Sequence, residues 1–259
     1  MQRFYIVEKE DQESKRLGQK IKTALELHNK EIDAKHPQCV ISVGGDGTFL
    51  HAVHKFKHYD DVVFVGLHTG TLGFFTDFEA EEVDVLIEYL LNSTPTIEST
   101  PLIEAIITED QSVTTLEALN EIRIENIVRT QEIQVYINQE MMEIFRGNGF
   151  CVSGQAGSTA YNRSIKGAII APGLDVLQLT EISGIHHKAY QSIGTPLVLP
   201  KDTLITFISD NFNGAKILYD HHVLDCDNVT KVEIKTSAKK VNMARYRPTS
   251  YIKRLHCLF

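Results

Sequence analysis

Tryptophan is absent from the chain, and only four cysteines occur in 259 residues. Cys39, Cys151, Cys226 and Cys257 are scattered and form no C-x-x-C pair, which excludes a disulfide framework or a cysteine-based zinc module. Reduced thiols in a cytoplasmic protein are expected. No apolar run approaches the roughly 18 residues that a membrane helix requires. The opening MQRFYIVEKEDQES turns acidic too early for a signal peptide. Positive charge is in deficit: 26 Lys and Arg face 34 Asp and Glu, a formal net charge of −8. That balance argues against a general affinity for nucleic acid or for an acidic membrane. Two phosphate motifs are also missing. Without G-x-x-x-x-G-K-[ST] there is no P-loop, and without G-x-G-x-x-G after the first strand there is no support for hydride chemistry on a Rossmann cofactor.

What is present alternates regularly through the first third. RFYIV, CVISV and VVFVGL read as strands, the latter two as nearly continuous apolar runs of the kind covered on both faces. Between and after them, helical stripes run through Leu17, Ile21, Ala24, Leu25 and His28, from about Thr48 to Phe56, and through Val83, Leu86, Ile87, Leu90 and Leu91. This order predicts an α/β domain with a parallel, Rossmann- or flavodoxin-like sheet over residues 1–98, with ligand loops at the carboxyl ends of its strands. After NSTPTIESTP the texture changes to short β-type runs separated by turn residues, which predicts a β-rich antiparallel sandwich over residues 99–240. One polar, glycine-rich insertion, RGNGFCVSGQAGSTAYN, interrupts these runs. The basic tail, residues 241–259, is expected to return to the first domain.

The chemistry concentrates in the glycine loops. In ISVGGDGTFL a buried strand ends at Gly44-Gly45, and Asp46 precedes Gly47 and a helix. Such a turn can converge backbone N–H groups on a phosphate at a helix N-terminus, or it can be a plain strand-to-helix turn with Asp46 as its cap. A carboxylate beside a bound phosphate needs a purpose, and accepting a proton from a hydroxyl nucleophile or holding Mg²⁺ would supply one. Downstream, GQAGSTAY offers hydroxyls and a tyrosine suited to a ribose and a base. Asn120 and Glu121 stand at a strand edge, where an Asn amide can read an adenine edge. Surface polarity alone would also account for that pair.

Taken together, GGDGTFL, HTGTLGFF, LNE, RGNGFCVSGQAGSTAYN, IGTPLVLP, DHHVL and ARYRP resemble the NAD kinase family, in its Gram-positive bacterial branch, over nearly the whole chain. GGDGT is shared with lipid and sphingoid kinases, whereas LNE and GSTAY are more specific. The resemblance implies transfer of the γ-phosphoryl group of ATP to the 2′-hydroxyl of the adenosine ribose of NAD, giving NADP. It further implies Mg²⁺ and a homo-oligomer, usually a tetramer. By the same resemblance Asp46 is the proton acceptor, and Gly44, Gly45 and Gly47 line the phosphate and NAD sites. Phe74 lies near adenine, Asn120 and Glu121 hold the adenosine, and Thr159, Tyr161 and Ser164 enclose NAD. Arg146, Asn148, Ser183 and His221 occupy further nucleotide-site positions.

Three departures fall on the side expected to hold NAD. Asn148 stands where the family commonly has aspartate, Ser153-Gly154-Gln155-Ala156 replaces a Thr-Pro segment, and His186-His187-Lys188 replaces Asn-Asn-Arg. Restoring the carboxylate with Asn148→Asp is expected to keep or tighten NAD use. Two other readings stand beside the kinase of NAD: a lipid or sphingoid kinase, and a dinucleotide-binding regulator with little activity.

Overall fold

A computed structural model describes residues 1–71, 73–110, 112–185 and 191–256. The chain divides into two compact units, Met1–Thr100 with Lys239–Phe259, and Pro101–Ala238.

The first unit begins with β1 (Arg3–Glu8), α1 (Gln12–Leu27), β2 (Glu31–Ile32), β3 (Cys39–Val43), α2 (Asp46–Phe56), β4 (Val63–His68), β5 (Phe78–Glu79) and α3 (Val83–Asn92). Strands β1 to β4 are all parallel and lie in the order β2-β1-β3-β4, with β5 beside β4. Alternate side chains serve opposite faces. Phe4 of β1, Cys39, Ile41 and Val43 of β3, and Val65 and Leu67 of β4 pack with the apolar stripes of α1 and α3. On the other face Tyr5 meets Phe56 of α2 at 5.3 Å between ring centroids, and Phe64 meets Phe49 at 5.9 Å. Burial of Phe49, Phe56 and Phe64 contributes about 1.5–3 kcal/mol each. Helix α1 starts where the Asp11 carboxylate accepts the Ser14 N–H, and it stops at His28, followed by Asn29 in the left-handed region (φ 56°). The strand order reverses between β1 and β3, since β2 lies on one side of β1 and β3 on the other, so the carboxyl end of β3 is the expected ligand position of a doubly wound sheet. Gly44 is the first residue beyond it.

The second unit is built from β6 (Thr96–Glu109), β7 (Val113–Ala118), β8 (Glu121–Glu125), β9 (Gln131–Ile137), β10 (Glu140–Gly147), β11 (Gly149–Ser153), α4 (Tyr161–Ser164), β12 (Val176–Ile182), β13 (Leu197–Pro200), β14 (Ile205–Ile208), β15 (Lys216–Tyr219), β16 (His222–Asp225) and β17 (Val229–Arg245). One sheet runs β10-β9-β14-β17, with β6 and β7 continuing from β17; the other runs β13-β12-β11-β8-β15-β16. The inward faces of both meet in one core, where Phe150 of β11 stacks on Phe207 of β14 at 5.1 Å. The segment read from sequence as an insertion between strands itself contains one: β11 is buried along its whole length and lies near the centre of its sheet, and a 3-10 turn and α4 follow it. Its glycines misled the reading. Gly149, at φ 151°, sits where a Cβ would strike the Ile124 carbonyl, so these glycines carry one strand from sheet to sheet instead of ending it.

The last stretch of β17 pairs in parallel with β4, Asn242 opposite Val63, and returns the chain to the first unit. There it ends in α5 (Tyr251–His256).

Candidate active site

Gly44 leaves β3 with a positive φ, and Gly45, extended, opens α2. Gly44 has φ 155°, and a Cβ on it would collide with Thr48, so this position is closed to other residues. Gly45 is the N-cap of α2, without a side-chain cap bond. Asp46 is therefore not the cap that one reading of the sequence allowed. Its carboxylate turns away from the helix and accepts two backbone N–H bonds, from Phe74 at 2.8 Å and Phe75 at 3.1 Å. A Cβ on Gly73 would fall on the Asp46 carboxylate and displace it from this place. By contrast, a Cβ at Gly45 or Gly47 would meet nothing within 4 Å. Packing does not demand those two glycines, whereas close approach of a ligand to the N-terminus of α2 would. Phe75 is buried and stacks on Phe49 at 5.0 Å, leaving Phe74 half-buried, edge-on to Tyr251.

The second unit gathers another group. Asp220, in the two-residue turn between β15 and β16 and itself left-handed (φ 51°), accepts the Leu119 N–H at 2.9 Å and the Asn120 N–H at 2.8 Å. Its own N–H donates to the Glu121 carbonyl. This turn fixes the backbone ahead of β8. Against it presses Gly157, where a Cβ would overlap the Asn120 backbone, and the Tyr161 N–H donates to the Glu121 carboxylate. Asn120 and Glu121 are 8% and 5% exposed, yet Asn120 Oδ1 and Glu121 Oε2 have no hydrogen-bond partner among the described residues. Unsatisfied buried acceptors cost about 1–3 kcal/mol each, and ligand hydroxyl or amino groups are the natural donors to relieve that cost. Burial, then the negative charge of Asp220, push the Glu121 carboxyl up to about 7, with Arg123 offsetting part of the rise. Arg123 lies over the Tyr161 ring, 3.7 Å from its centroid, and pairs with Glu125 at 3.0 Å.

The expected residues thus fall into groups. Gly44, Gly45, Asp46, Gly47 and Phe74 come together in the first unit. Asn120, Glu121, Thr159 and Tyr161 do so in the second, with Ser164 exposed at the end of α4. Arg146, Asn148 and Ser183 surround the sheet-to-sheet crossover. The Arg146 guanidinium is engaged by Glu132, directly opposite on β9. The Asn148 amide donates to the Asn126 carbonyl at 2.8 Å, while the Asn148 carbonyl accepts the Asn126 N–H. Ser183 is left-handed (φ 49°) and exposed. His221 is exposed in the β15–β16 turn, its ring 4.1 Å from that of His222. His186, His187 and Lys188 lie outside the described residues. The sequence reading quoted Asp220 as the first residue of DHHVL but gave it no role. An aspartate between two short β runs is also a residue type suited to left-handed turns.

Comparison with known proteins identifies the family of the chain. The profile of the ATP-NAD kinase N-terminal domain matches residues 3–94, and that of the ATP-NAD kinase C-terminal domain matches residues 119–246. NAD kinase 1 of Halalkalibacterium halodurans is 36% identical, over 98% of this chain and 97% of its own. NAD kinase of Staphylococcus aureus is 37% identical, over 99% and 97%. Among solved structures, yeast NADH kinase complexed with NADH superposes with a TM-score of 0.85 at 18% identity, covering 99% of this chain and 86% of that one. An NAD kinase from Archaeoglobus fulgidus in complex with ATP gives 0.79 at 22% identity, covering 99% and 98%. These folds and relatives define a two-domain nucleotide kinase architecture. The chain belongs to the ATP-NAD kinase family.

Proposed function

We propose that this protein is an NAD kinase that phosphorylates the 2′-hydroxyl of the adenosine ribose of NAD with ATP. The observation that carries the reading is the Asp46 carboxylate, held by the Phe74 and Phe75 amides between glycines whose missing side chains leave open space at a helix N-terminus. Phosphoryl transfer depends mainly on alignment and charge neutralisation. The Gly44–Gly47 backbone receives phosphate, and Mg²⁺ arrives with the triphosphate as part of the donor substrate. The ribose 2′-oxygen bonds to the γ-phosphorus as the bond to the β–γ bridging oxygen breaks. The 2′-hydroxyl proton passes to Asp46, and ADP leaves. Asn120 Oδ1 and Glu121 Oε2 accept from the adenosine, and Thr159, Tyr161 and Ser164 enclose it, with Phe74 near adenine.

On this reading residues 1–98 with the tail hold phosphate, and residues 99–240 hold NAD and carry self-association into a homo-oligomer, a tetramer by resemblance. The protein works in the cytoplasm, without nucleic acid or membrane. Among the described residues no helix is long and apolar enough to cross a membrane. The polar, unsatisfied groups at Asn120 and Glu121 favour a nucleoside over a lipid acceptor. Incubation with ATP, Mg²⁺ and either NAD or a sphingoid lipid, read by product mass, tests this. NADP from NAD is the expected product, and a phosphorylated lipid with no NADP would contradict it.

A further inference from the structure

We propose that Arg254, in the C-terminal helix, is the positioning residue for Asp46. The inference rests on Asp46 being the proton acceptor. Helix α5 docks through a charge: Arg254 is its one buried residue, 6% exposed, while Ile252 is 60% exposed. The Arg254 guanidinium donates to the Phe74 carbonyl and, more weakly, to the Gly73 carbonyl at 3.4 Å. Its other nitrogen pairs with Asp77, whose side chain is almost fully buried. Asp77 is gripped again by Arg245, at 2.8 and 3.0 Å, and Arg245 reaches Glu98 at 2.7 Å. Loop 73–75 is therefore held from both sides. Its carbonyls face Arg254, and its next amides, Phe74 N–H and Phe75 N–H, hold the Asp46 carboxylate.

Each part has a physical consequence. A carboxylate at the first position of a helix has several rotamers open to it, and the two amides select one. Those amides are fixed only as well as their peptide planes, and the carbonyls of Gly73 and Phe74 belong to the same planes. A bidentate guanidinium bridging a carbonyl and a buried carboxylate fixes both orientation and depth, which a point charge cannot. Arg254 bonds the loop that holds Asp46, and its charge also attracts the Asp46 carboxylate through space, so it acts on Asp46 by both routes.

The test is a double-mutant cycle of Arg254→Met and Asp46→Ala, with kcat normalised to the folded fraction. Arg254→Met leaves Asp77 paired with Arg245, so no buried charge is stranded. With wild-type Asp46, Arg254→Met lowers kcat about 10- to 100-fold, the scale of an ångström-sized misplacement. KM for NAD and for ATP moves less than about 3-fold. Exchange of the Phe74 and Phe75 amides speeds up about 10-fold. In the Asp46→Ala background the same change moves kcat by less than about 2-fold, because the group it positions is gone. Arg254→Lys restores thermal stability and only part of kcat, and it carries the cycle if Arg254→Met does not fold. Independent, multiplying losses or an unchanged kcat would overturn the proposal. Wild-type turnover in Asp46→Ala would instead overturn the proton-acceptor reading on which it rests.

Discussion

Glycines 45 and 47 differ from Gly44 beside them in having open space where a side chain would stand. Neither has the positive φ that Gly44 needs. Gly47→Ala, inside the first turn of α2, should therefore leave the thermal midpoint unchanged or raise it, since Ala is about 1 kcal/mol better than Gly in a helix. The same methyl should lower kcat/KM for ATP by about 10-fold or more if phosphate lies against the backbone, equivalent to roughly 1.4 kcal/mol. A lowered midpoint with intact kcat/KM would mark the glycine as structural. Glu121 gives a second residue-scale prediction. Its ordinary pKa of 4.5 rises to about 7 on folding, through burial first and Asp220 second. Below the unfolded value both states are protonated. As pH climbs toward about 7 the unfolded chain has released a proton that the folded chain still keeps, so stability falls by up to roughly 3 kcal/mol. Glu121→Gln keeps the shape and removes this loss. Its thermal midpoint should exceed wild type at about pH 8 and match it near pH 4; an equal difference at both values would contradict the assignment.

At the scale of elements, the crossover between β10 and β11 alters an expectation drawn from sequence. The family resemblance implied an aspartate where Asn148 stands, and restoring the carboxylate was expected to be neutral or helpful. The structure commits its amide N–H₂ to the Asn126 carbonyl. A carboxylate has no hydrogen to donate and would face that oxygen with like charge. Asn148→Asp should lower stability by about 1–3 kcal/mol, visible as a reduced urea midpoint at unchanged m-value. An unchanged midpoint would return this side chain to the ligand-binding role. The crossover also shows where sequence legibility ended. RFYIV, CVISV and VVFVGL were readable because continuous apolar runs between helical stripes have one economical packing, a covered parallel sheet. Gly147 and Gly149 carried the opposite signal from their role, since a glycine in a turn and a glycine under a crossing backbone look alike in one dimension. The strand VLQLTEI, β12, was passed over for a related reason: its partners, β11 and β13, are set by tertiary pairing.

For the whole molecule, the chain makes its α/β unit from two separated stretches, and the second supplies a parallel strand edge and three arginines at positions 245, 247 and 254. A basic tail was legible, and the contacts it makes were not. Nothing in ARYRPTSYIKRL announces that an arginine would close on the loop that holds Asp46. The glycine loop stood out as a candidate site because GGDGT is a local motif of adjacent residues. Asp220 did not, because it acts on Leu119 and Asn120 a hundred residues away in sequence. The central claim is that Asp46 serves the chemical step and not the binding of NAD. It is tested most directly by measuring NADP formation from NAD and Mg²⁺-ATP by wild type and Asp46→Ala, with NAD affinity of both by calorimetry. The account predicts a kcat lower by about 10²–10⁴-fold with NAD affinity retained. Comparable turnover in the two proteins would contradict it.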